Sequence, residues 1–145
     1  MKNILNLLVL VCLLSLFTAC TADNGGLPHP SQELENFVGT WLNENESTGH
    51  ITKVTISSFG NSLFIKVWGK CSPEDCEWEI RRVKKNDILG GVIKVSWEEM
   101  GFLYNTFLEI EFSDDLHELL KITSLNIPNE LGHKEYTTIE YFNKL

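Results

Sequence analysis

Cysteines are the residues whose type and spacing offer the most distinctive chemistry in this chain. Two of the four, Cys71 and Cys76, have four residues between them. A redox or metal-binding pair usually has only two intervening residues, and no histidine lies near these cysteines in the sequence. We therefore expect a structural disulfide at the base of a short loop, with a metal or redox pair as the alternative.

The histidines and carboxylates do not form a catalytic pattern. The histidines are scattered, at His29, His50, His117 and His133. The sequence contains no His-Glu-x-x-His, no Gly-x-Ser-x-Gly and no phosphate-binding glycine-rich loop. Asp114-Asp115 lacks the further oxygen ligands of a calcium loop, and the adjacent Glu98 and Glu99 point to opposite faces of a strand. We expect a protein that is not an enzyme and has no metal or cofactor.

The first twenty residues have the layout of a secretory signal. Lys2 supplies a positive charge, and a nearly continuous apolar run follows over residues 4–17. The run is shorter than the roughly 20 residues that a spanning helix needs. We expect removal of this segment and export of the mature chain to an oxidising compartment, where Cys71 and Cys76 can pair.

The end of that segment, Phe17-Thr18-Ala19-Cys20, resembles the lipobox of bacterial lipoproteins, although leucine is usual where Phe17 stands. The resemblance implies a signal peptide over residues 1–19 and a lipidated Cys20, whose several acyl chains anchor the protein stably. Thr21 follows the cysteine instead of aspartate, which in the enteric-bacterial sorting pattern implies the outer membrane. A plain secreted protein with a chance cysteine is the alternative.

The mature chain is expected to consist of a tether and one domain. Residues 20–35 contain Gly25-Gly26, Pro28 and Pro30 and few large apolar side chains, which is typical of a flexible linker. Residues 36–145 are long enough for one globular unit. The net charge of -8 repels phosphate backbones, so nucleic acid is not an expected partner.

Apolar residues after Gly39 alternate with period two between turn residues, which predicts an all-β domain. We predict eight strands, near residues 39–45, 50–59, 62–70, 76–85, 91–98, 102–113, 116–125 and 134–143. Consecutive antiparallel strands with one buried face close most economically into an up-and-down barrel, which leaves no exposed edge. A β-sandwich is the alternative.

Two turns predict the register of the strands. A two-residue loop at Gly60-Asn61 places Ile56 opposite Ile65 and Val54 opposite Val67, so all four side chains share one face. The next hairpin then follows from the expected disulfide.

If Cys71 faces Cys76, Gly69 lies opposite Trp78 and leaves room for its indole. The same register places Val67 opposite Ile80 and, on the outer face, Lys70 opposite Glu77.

This register places polar residues on the inner face, where a charge must be paired or contact a polar group. One interpretation is that Arg82 and Lys84 extend to water at the barrel mouth while Glu118 pairs with one of them. The other is a ligand cavity, since an eight-stranded barrel can hold one small molecule. Its candidate residues are an aromatic wall and a polar anchor: Trp78, Trp97, Phe102 and Tyr104, with Arg82 and Glu118.

Gly39-Thr40-Trp41 resembles the start of lipocalin and avidin-type barrels. In avidins the positions matching Asn43 and Ser47 contact the ligand. Lipocalins pack an arginine from the last strand on the opening tryptophan, and residues 141–144 contain none. The same start, together with the hairpin Trp68-Gly69-Lys70-Cys71-Ser72-Pro73-Glu74-Asp75-Cys76-Glu77-Trp78, more specifically resembles an uncharacterised family of secreted bacterial domains. That resemblance does not indicate a particular activity.

We therefore expect a non-catalytic lipoprotein of the bacterial envelope, anchored in the outer membrane, whose barrel binds a small amphiphilic ligand or a surface component. The alternative is a barrel inhibitor of a protease or a lysozyme. In that case the acidic loop 72–75 would contact a basic protein partner.

Overall fold

The computed structural model describes residues 34–98, 103–113 and 118–145 and is almost entirely β. Its nine strands are β1 (Gly39–Asn43), β2 (Ile51–Phe59), β3 (Ser62–Gly69), β4 (Cys76–Glu77), β5 (Arg81–Lys84), β6 (Ile93–Trp97), β7 (Tyr104–Phe112), β8 (Leu119–Pro128) and β9 (Tyr136–Lys144). A helical turn at 34–36 precedes β1, and a short 3-10 helix, Lys85–Asp87, follows β5. Within the described ranges, no helix is long and apolar enough to span a bilayer.

All nine strands belong to one antiparallel sheet that curls into a half-barrel. The strand order is β4-β3-β2-β1-β9-β8-β7-β6, and β5 also pairs with β3. Strands β4 and β5 lie end to end along β3, so they occupy one strand position between them. The prediction of an all-β, barrel-like antiparallel fold with eight strand positions is confirmed. The predicted fourth strand is interrupted and forms β4 and β5.

The first and last strands of the half-barrel pair with each other, and the sheet is open at one junction among the described strands. Strand β1 pairs with β9, where Trp41 lies opposite Lys144. No ladder joins β5 to β6 in the part of the chain that the structure describes, and we call this junction the seam. Two side-chain hydrogen bonds cross it: Arg81 Nε donates to the Ser96 carbonyl at 2.9 Å, and Trp97 Nε1 donates to the Glu79 carbonyl at 2.7 Å.

The register predicted for the first hairpin is confirmed. Ile56 pairs with Ile65 and Val54 with Val67, and all four side chains are buried. Gly60 has a φ of 55°, a conformation that glycine adopts readily in a two-residue hairpin turn.

The register predicted for the second hairpin is wrong by two residues. Gly69 pairs with Cys76, and Trp68 pairs with Glu77. The disulfide between Cys71 and Cys76 is nevertheless present, with a Cα–Cα distance of 5.5 Å. A disulfide requires only this proximity, and the two cysteines therefore did not need to be cross-strand partners.

The salt bridges around this hairpin also differ from the expected pair of Lys70 with Glu77. Lys70 Nζ instead lies 3.4 Å from Oδ1 of Asp75, and Lys66 Nζ lies 2.8 Å from Oε1 of Glu77. Both pairs follow from the observed register of the hairpin.

The prediction that Arg82 and Lys84 lie on the inner face is also wrong. Residues 78–80 leave the strand geometry, and when the strand resumes, Arg81 pairs with the buried Ile65. The alternation of inward and outward side chains in β5 is therefore shifted by one residue from the predicted one. Arg82 and Lys84 are exposed, and so is Ile80.

The apolar core fills the half-barrel beside the helical turn. Its largest fully buried side chains include Phe37, Trp41, Trp97 and Phe142. Phe37 packs on Phe112 at 4.4 Å between ring centroids, and its carbonyl accepts a hydrogen bond from Trp41 Nε1. Phe112 also contacts Trp41 edge-on, so these three aromatic residues form one cluster.

Two residues that the sequence analysis assigned to the tether contact the domain. Leu34 is buried in the core, and Glu35 forms an ion pair with Lys85 at 2.6 Å. Leu34 and Glu35 thus belong structurally to the folded unit.

Candidate functional site

A cavity of about 390 Å³ lies on the inner face of the half-barrel, beside the disulfide hairpin. Its volume is within the range of small-molecule sites. The aromatic and apolar lining includes Trp78, Trp97, Leu103, Tyr104 and Tyr136. The polar lining includes Thr106, Ser124, Asn126 and Thr138.

The polar side chains of the cavity come from three neighbouring strands. In the ladders between β7, β8 and β9, Asn126 pairs with both Thr106 and Tyr136, and Ser124 pairs with Thr138. Since alternate residues of a strand share one face, these residues continue the row that includes the buried Ile122. The inner face therefore changes from apolar to polar along the same strands.

Two indoles form the aromatic wall of the cavity. Trp78 and Trp97 meet edge to face, with centroids 5.2 Å apart and an interplanar angle of 74°. A Cβ on Gly69 would lie 2.9 Å from Nε1 of Trp78, so the glycine leaves room for the indole as the sequence predicted, although the two residues are not paired. Burial of large aromatic surfaces makes this wall suited to an apolar ligand group.

The hydroxyl groups in the cavity differ in their hydrogen bonding. Thr106 Oγ1 donates to Asn126 Oδ1 at 2.9 Å. The Oγ of Ser124 and the Oγ1 of Thr138 are buried and have no hydrogen-bond partner among the described residues. A buried hydroxyl without a partner costs about 1 to 3 kcal/mol, so a bound group that hydrogen-bonds to these two after their side chains rotate would recover part of that free energy.

Three rings that line the cavity, those of Tyr104, Tyr136 and His50, lie in series, and the ring of His133 lies beside Tyr104. Tyr136 contacts Tyr104 at 5.2 Å and His50 at 5.9 Å between centroids, and the Tyr104 hydroxyl lies 3.4 Å from Nδ1 of His133. Partial burial, followed by the neighbouring Tyr104, raises the pKa of Tyr136 above its ordinary value of 10.0. The tyrosine is therefore neutral at pH 7.

Charge at the cavity is balanced. Lys70 lines it and pairs with Asp75. A hydrogen bond with Thr52, followed by the interaction with Lys70, holds the pKa of the Asp75 carboxyl below its ordinary value. Asp75 of the acidic loop 72–75 is thus already engaged within the protein. Among the described residues, no group of three or more histidines, cysteines and carboxylates is placed to hold a metal ion.

The structure brings together three of the six candidate ligand-binding residues, Trp78, Trp97 and Tyr104. Phe102 lies outside the described residues, as does the candidate lipidation residue Cys20.

The two candidate polar anchors lie apart from this cavity. Arg82 Nε donates to the Ser62 hydroxyl at 2.9 Å, on the opposite face of the sheet. Glu118 is exposed and lines a separate recess with Trp41 and Lys144. A guanidinium and carboxylate anchor at this cavity is therefore not formed.

The two positions that match ligand-contacting residues of avidins form hydrogen bonds within this protein instead. Asn43 Nδ2 donates to the Ile51 carbonyl at 2.7 Å and to Glu140 at 2.9 Å, and the Ser47 amide donates to the side chain of Asn45. Neither Asn43 nor Ser47 lines the cavity.

Comparisons of the chain with protein-family models, with curated proteins and with solved structures find no match. The functional assignment therefore depends on the cavity itself. Sequence reasoning missed Ser124, Asn126 and Thr138, because the period-two pattern was not continued past Ile122 in β8 or extended to the last strand. Their even spacing beyond Ile122 was the available signal for the first two.

Proposed function

We propose that this protein is a non-catalytic binding module that holds one small amphipathic molecule in the cavity. The observation that carries the proposal is the combination of the Trp78–Trp97 wall with the unpartnered hydroxyls of Ser124 and Thr138 on one inner face. The indoles suit an apolar group, and the hydroxyls suit a polar group of the same molecule.

The size of the cavity agrees with the same proposal. Ligand sites in proteins are clefts or cavities of about 300 to 1,000 Å³. A cavity of about 390 Å³ therefore has room for one small molecule.

Tryptophan fluorescence tests the proposal, because the four tryptophans occupy different environments. Trp78 and Trp97 line the cavity, whereas Trp68 lies on the outer face, with Lys53 Nζ at 3.8 Å from its ring. We expect a lipid extract of the bacterial envelope to change the emission of the wild type. Trp78→Phe and Trp97→Phe should reduce that change, and the control Trp68→Phe should retain it.

We further propose that the module is held at the bacterial outer membrane by lipid on Cys20. The lipobox-like Phe17-Thr18-Ala19-Cys20 supports this proposal, and the Cys71–Cys76 disulfide supports an oxidising compartment. Expression in a bacterium followed by membrane fractionation tests it. Cys20→Ser should be released in soluble form, and unchanged membrane association of that variant would refute the anchor.

Inhibition of a protease or lysozyme is the second candidate function. The loop 72–75 is exposed and is closed at its base by the disulfide, which is a suitable form for insertion into a partner. Tight association with a lysozyme or protease, together with no fluorescence or calorimetric response to the lipid extract, would replace the ligand-binding proposal with this one.

A further inference from the structure

We infer that the molecule in the cavity presents an uncharged hydroxyl or carbonyl group to Ser124 and Thr138, and not a carboxylate or an ammonium group. This inference rests on the proposed function, since it specifies the chemical class of ligand for the same cavity. An Arg82 that faced the cavity would have favoured an acidic ligand. The structure does not place Arg82 at the cavity, and the inference here is a neutral ligand.

The two hydroxyls are placed to act together. Ser124 and Thr138 are cross-strand partners on β8 and β9, so their side chains lie beside each other on the inner face. Ser124 is only 3% exposed, and neither hydroxyl oxygen has a hydrogen-bond partner in the described part of the chain. Both oxygens are covered in this side-chain conformation, so a ligand reaches them when the two side chains rotate about χ1. Each hydroxyl can donate one hydrogen bond and accept others, so the pair suits a ligand hydroxyl or carbonyl group.

The charges around the cavity argue against an ionised ligand group. Among the described residues that line it, Lys70 is the only lysine, arginine or carboxylate, and it pairs with Asp75. At the nearby seam, Arg81 donates a hydrogen bond to the Ser96 carbonyl, and its Nη1 lies 2.9 Å from Oε2 of Glu79. A buried charge needs a partner, and neither Lys70 nor Arg81 offers an uncompensated charge to a ligand, since each already has a carboxylate partner.

The remaining lining defines the rest of the ligand. The half-buried Trp78, packed on the buried Trp97, offers an apolar surface to an aromatic ring or a hydrocarbon chain. The expected ligand is therefore a neutral amphiphile, with its apolar part on the indoles and its polar group toward Ser124 and Thr138.

Three probes that differ in one functional group test this inference on the folded mature protein. Phenylbutanol, phenylbutyrate and phenylbutylamine carry the same ring and chain but end in a hydroxyl, a carboxylate and an ammonium group. Calorimetry at pH 7 should show that phenylbutanol binds at least about tenfold more tightly than either charged probe, because burial of an unpaired charge is unfavourable.

Removal of the hydroxyls should reduce affinity without loss of stability. Ser124→Ala and Thr138→Val should each weaken phenylbutanol binding by about threefold to tenfold, the range for one hydrogen bond. Thr137→Val is the matched control, since Thr137 is exposed on the same strand. The midpoint of thermal unfolding of Ser124→Ala should equal or exceed that of the wild type, because the hydroxyl that it removes has no protein partner.

Each contrary outcome has its own meaning. Phenylbutyrate binding as tightly as phenylbutanol would overturn the neutral-ligand inference and leave the binding module intact. A Ser124→Ala variant with lower stability and unchanged affinity would show that the hydroxyls bind ordered water only, which also overturns the inference. No binding of any probe, together with no fluorescence response to the lipid extract, would overturn both proposals.

Discussion

The side chain of Arg81 joins two strands that share no backbone ladder: its Nε lies 2.9 Å from the carbonyl oxygen of Ser96. Its guanidinium carbon also lies 5.7 Å from the ring centroid of Trp97. Trp97 in turn donates to the Glu79 carbonyl, on the β5 side of the seam. These contacts hold the seam together beside the aromatic wall of the cavity.

We predict that Arg81→Met opens the seam while preserving the aliphatic part of the side chain. The free energy of unfolding should fall by about 1 to 3 kcal/mol, the range for hydrogen bonds to a charged group. Urea unfolding measures this change, and amide hydrogen exchange should accelerate in β5 and β6. Lys84→Met is the control, because it removes the same charge from an exposed position of β5. Equal stability of the two variants would contradict a structural role for Arg81 at the seam.

A second contact explains the glycine that opens β1. Lys144 Nζ lies 5.2 Å from the centroid of the Trp41 ring and donates to the Asn36 carbonyl at 3.0 Å. The sequence analysis did not assign this contact with Trp41 to Lys144. A Cβ on Gly39 would lie 2.5 Å from Cε of Lys144, and Gly39 has a φ of 149°.

Gly39→Ala should therefore be destabilising. Backbone strain at that φ costs about 1 to 3 kcal/mol, and Lys144 must also move away from the added methyl group. Gly49→Ala is the matched control, since an added Cβ there has no atom within 4 Å and Gly49 does not have a positive φ. Urea unfolding of the two variants compares them, and a Gly39→Ala protein as stable as Gly49→Ala would contradict this account.

Acid should weaken the contact between the helical turn and the sheet. A hydrogen bond from Lys85, and a second from Ser58, hold the pKa of Glu35 below its ordinary value of 4.5. A carboxyl with a lowered pKa in the folded state stabilises the protein above its ordinary value, and that contribution is lost as pH falls through the folded-state pKa.

We therefore predict that the stability difference between wild type and Glu35→Gln is present at pH 6 and decreases below about pH 4.5. Urea unfolding at a series of pH values measures it. Glu46→Gln is the control, since Glu46 is an exposed glutamate of a loop. A Glu35→Gln difference that stays constant down to pH 2 would contradict the ion pair with Lys85.

Local turn chemistry explains which parts of the fold could be predicted. The turn at Gly60-Asn61 has only two residues, so it determines one register, and Ile56 was correctly placed opposite Ile65. The next loop has no such constraint. Its disulfide tolerates more than one register, and the irregular residues 78–80 shift the face of every later residue in β5. For this reason Arg81 faces inward where Arg82 was expected.

The candidate site was predictable in its aromatic part and not in its polar part. Trp78 and Trp97 were identified because large aromatic residues mark a buried face. Ser124 lies in the continuation of the row that contains Ile122, but a serine in a strand carries no apolar signal. Its pairing with Thr138 depends on the length of a hairpin connection that the sequence does not determine.

Native mass spectrometry of the protein isolated from the cells that naturally produce it tests the central claim most directly. The account predicts one small molecule per chain, without an ionisable group, that is released on denaturation. The variant Thr138→Trp should lack this molecule, because the new indole occupies the cavity. The variant should keep the circular dichroism spectrum of the wild type. Wild-type protein with the same mass under native and denaturing conditions, and a tryptophan emission unchanged by the lipid extract, would contradict the account.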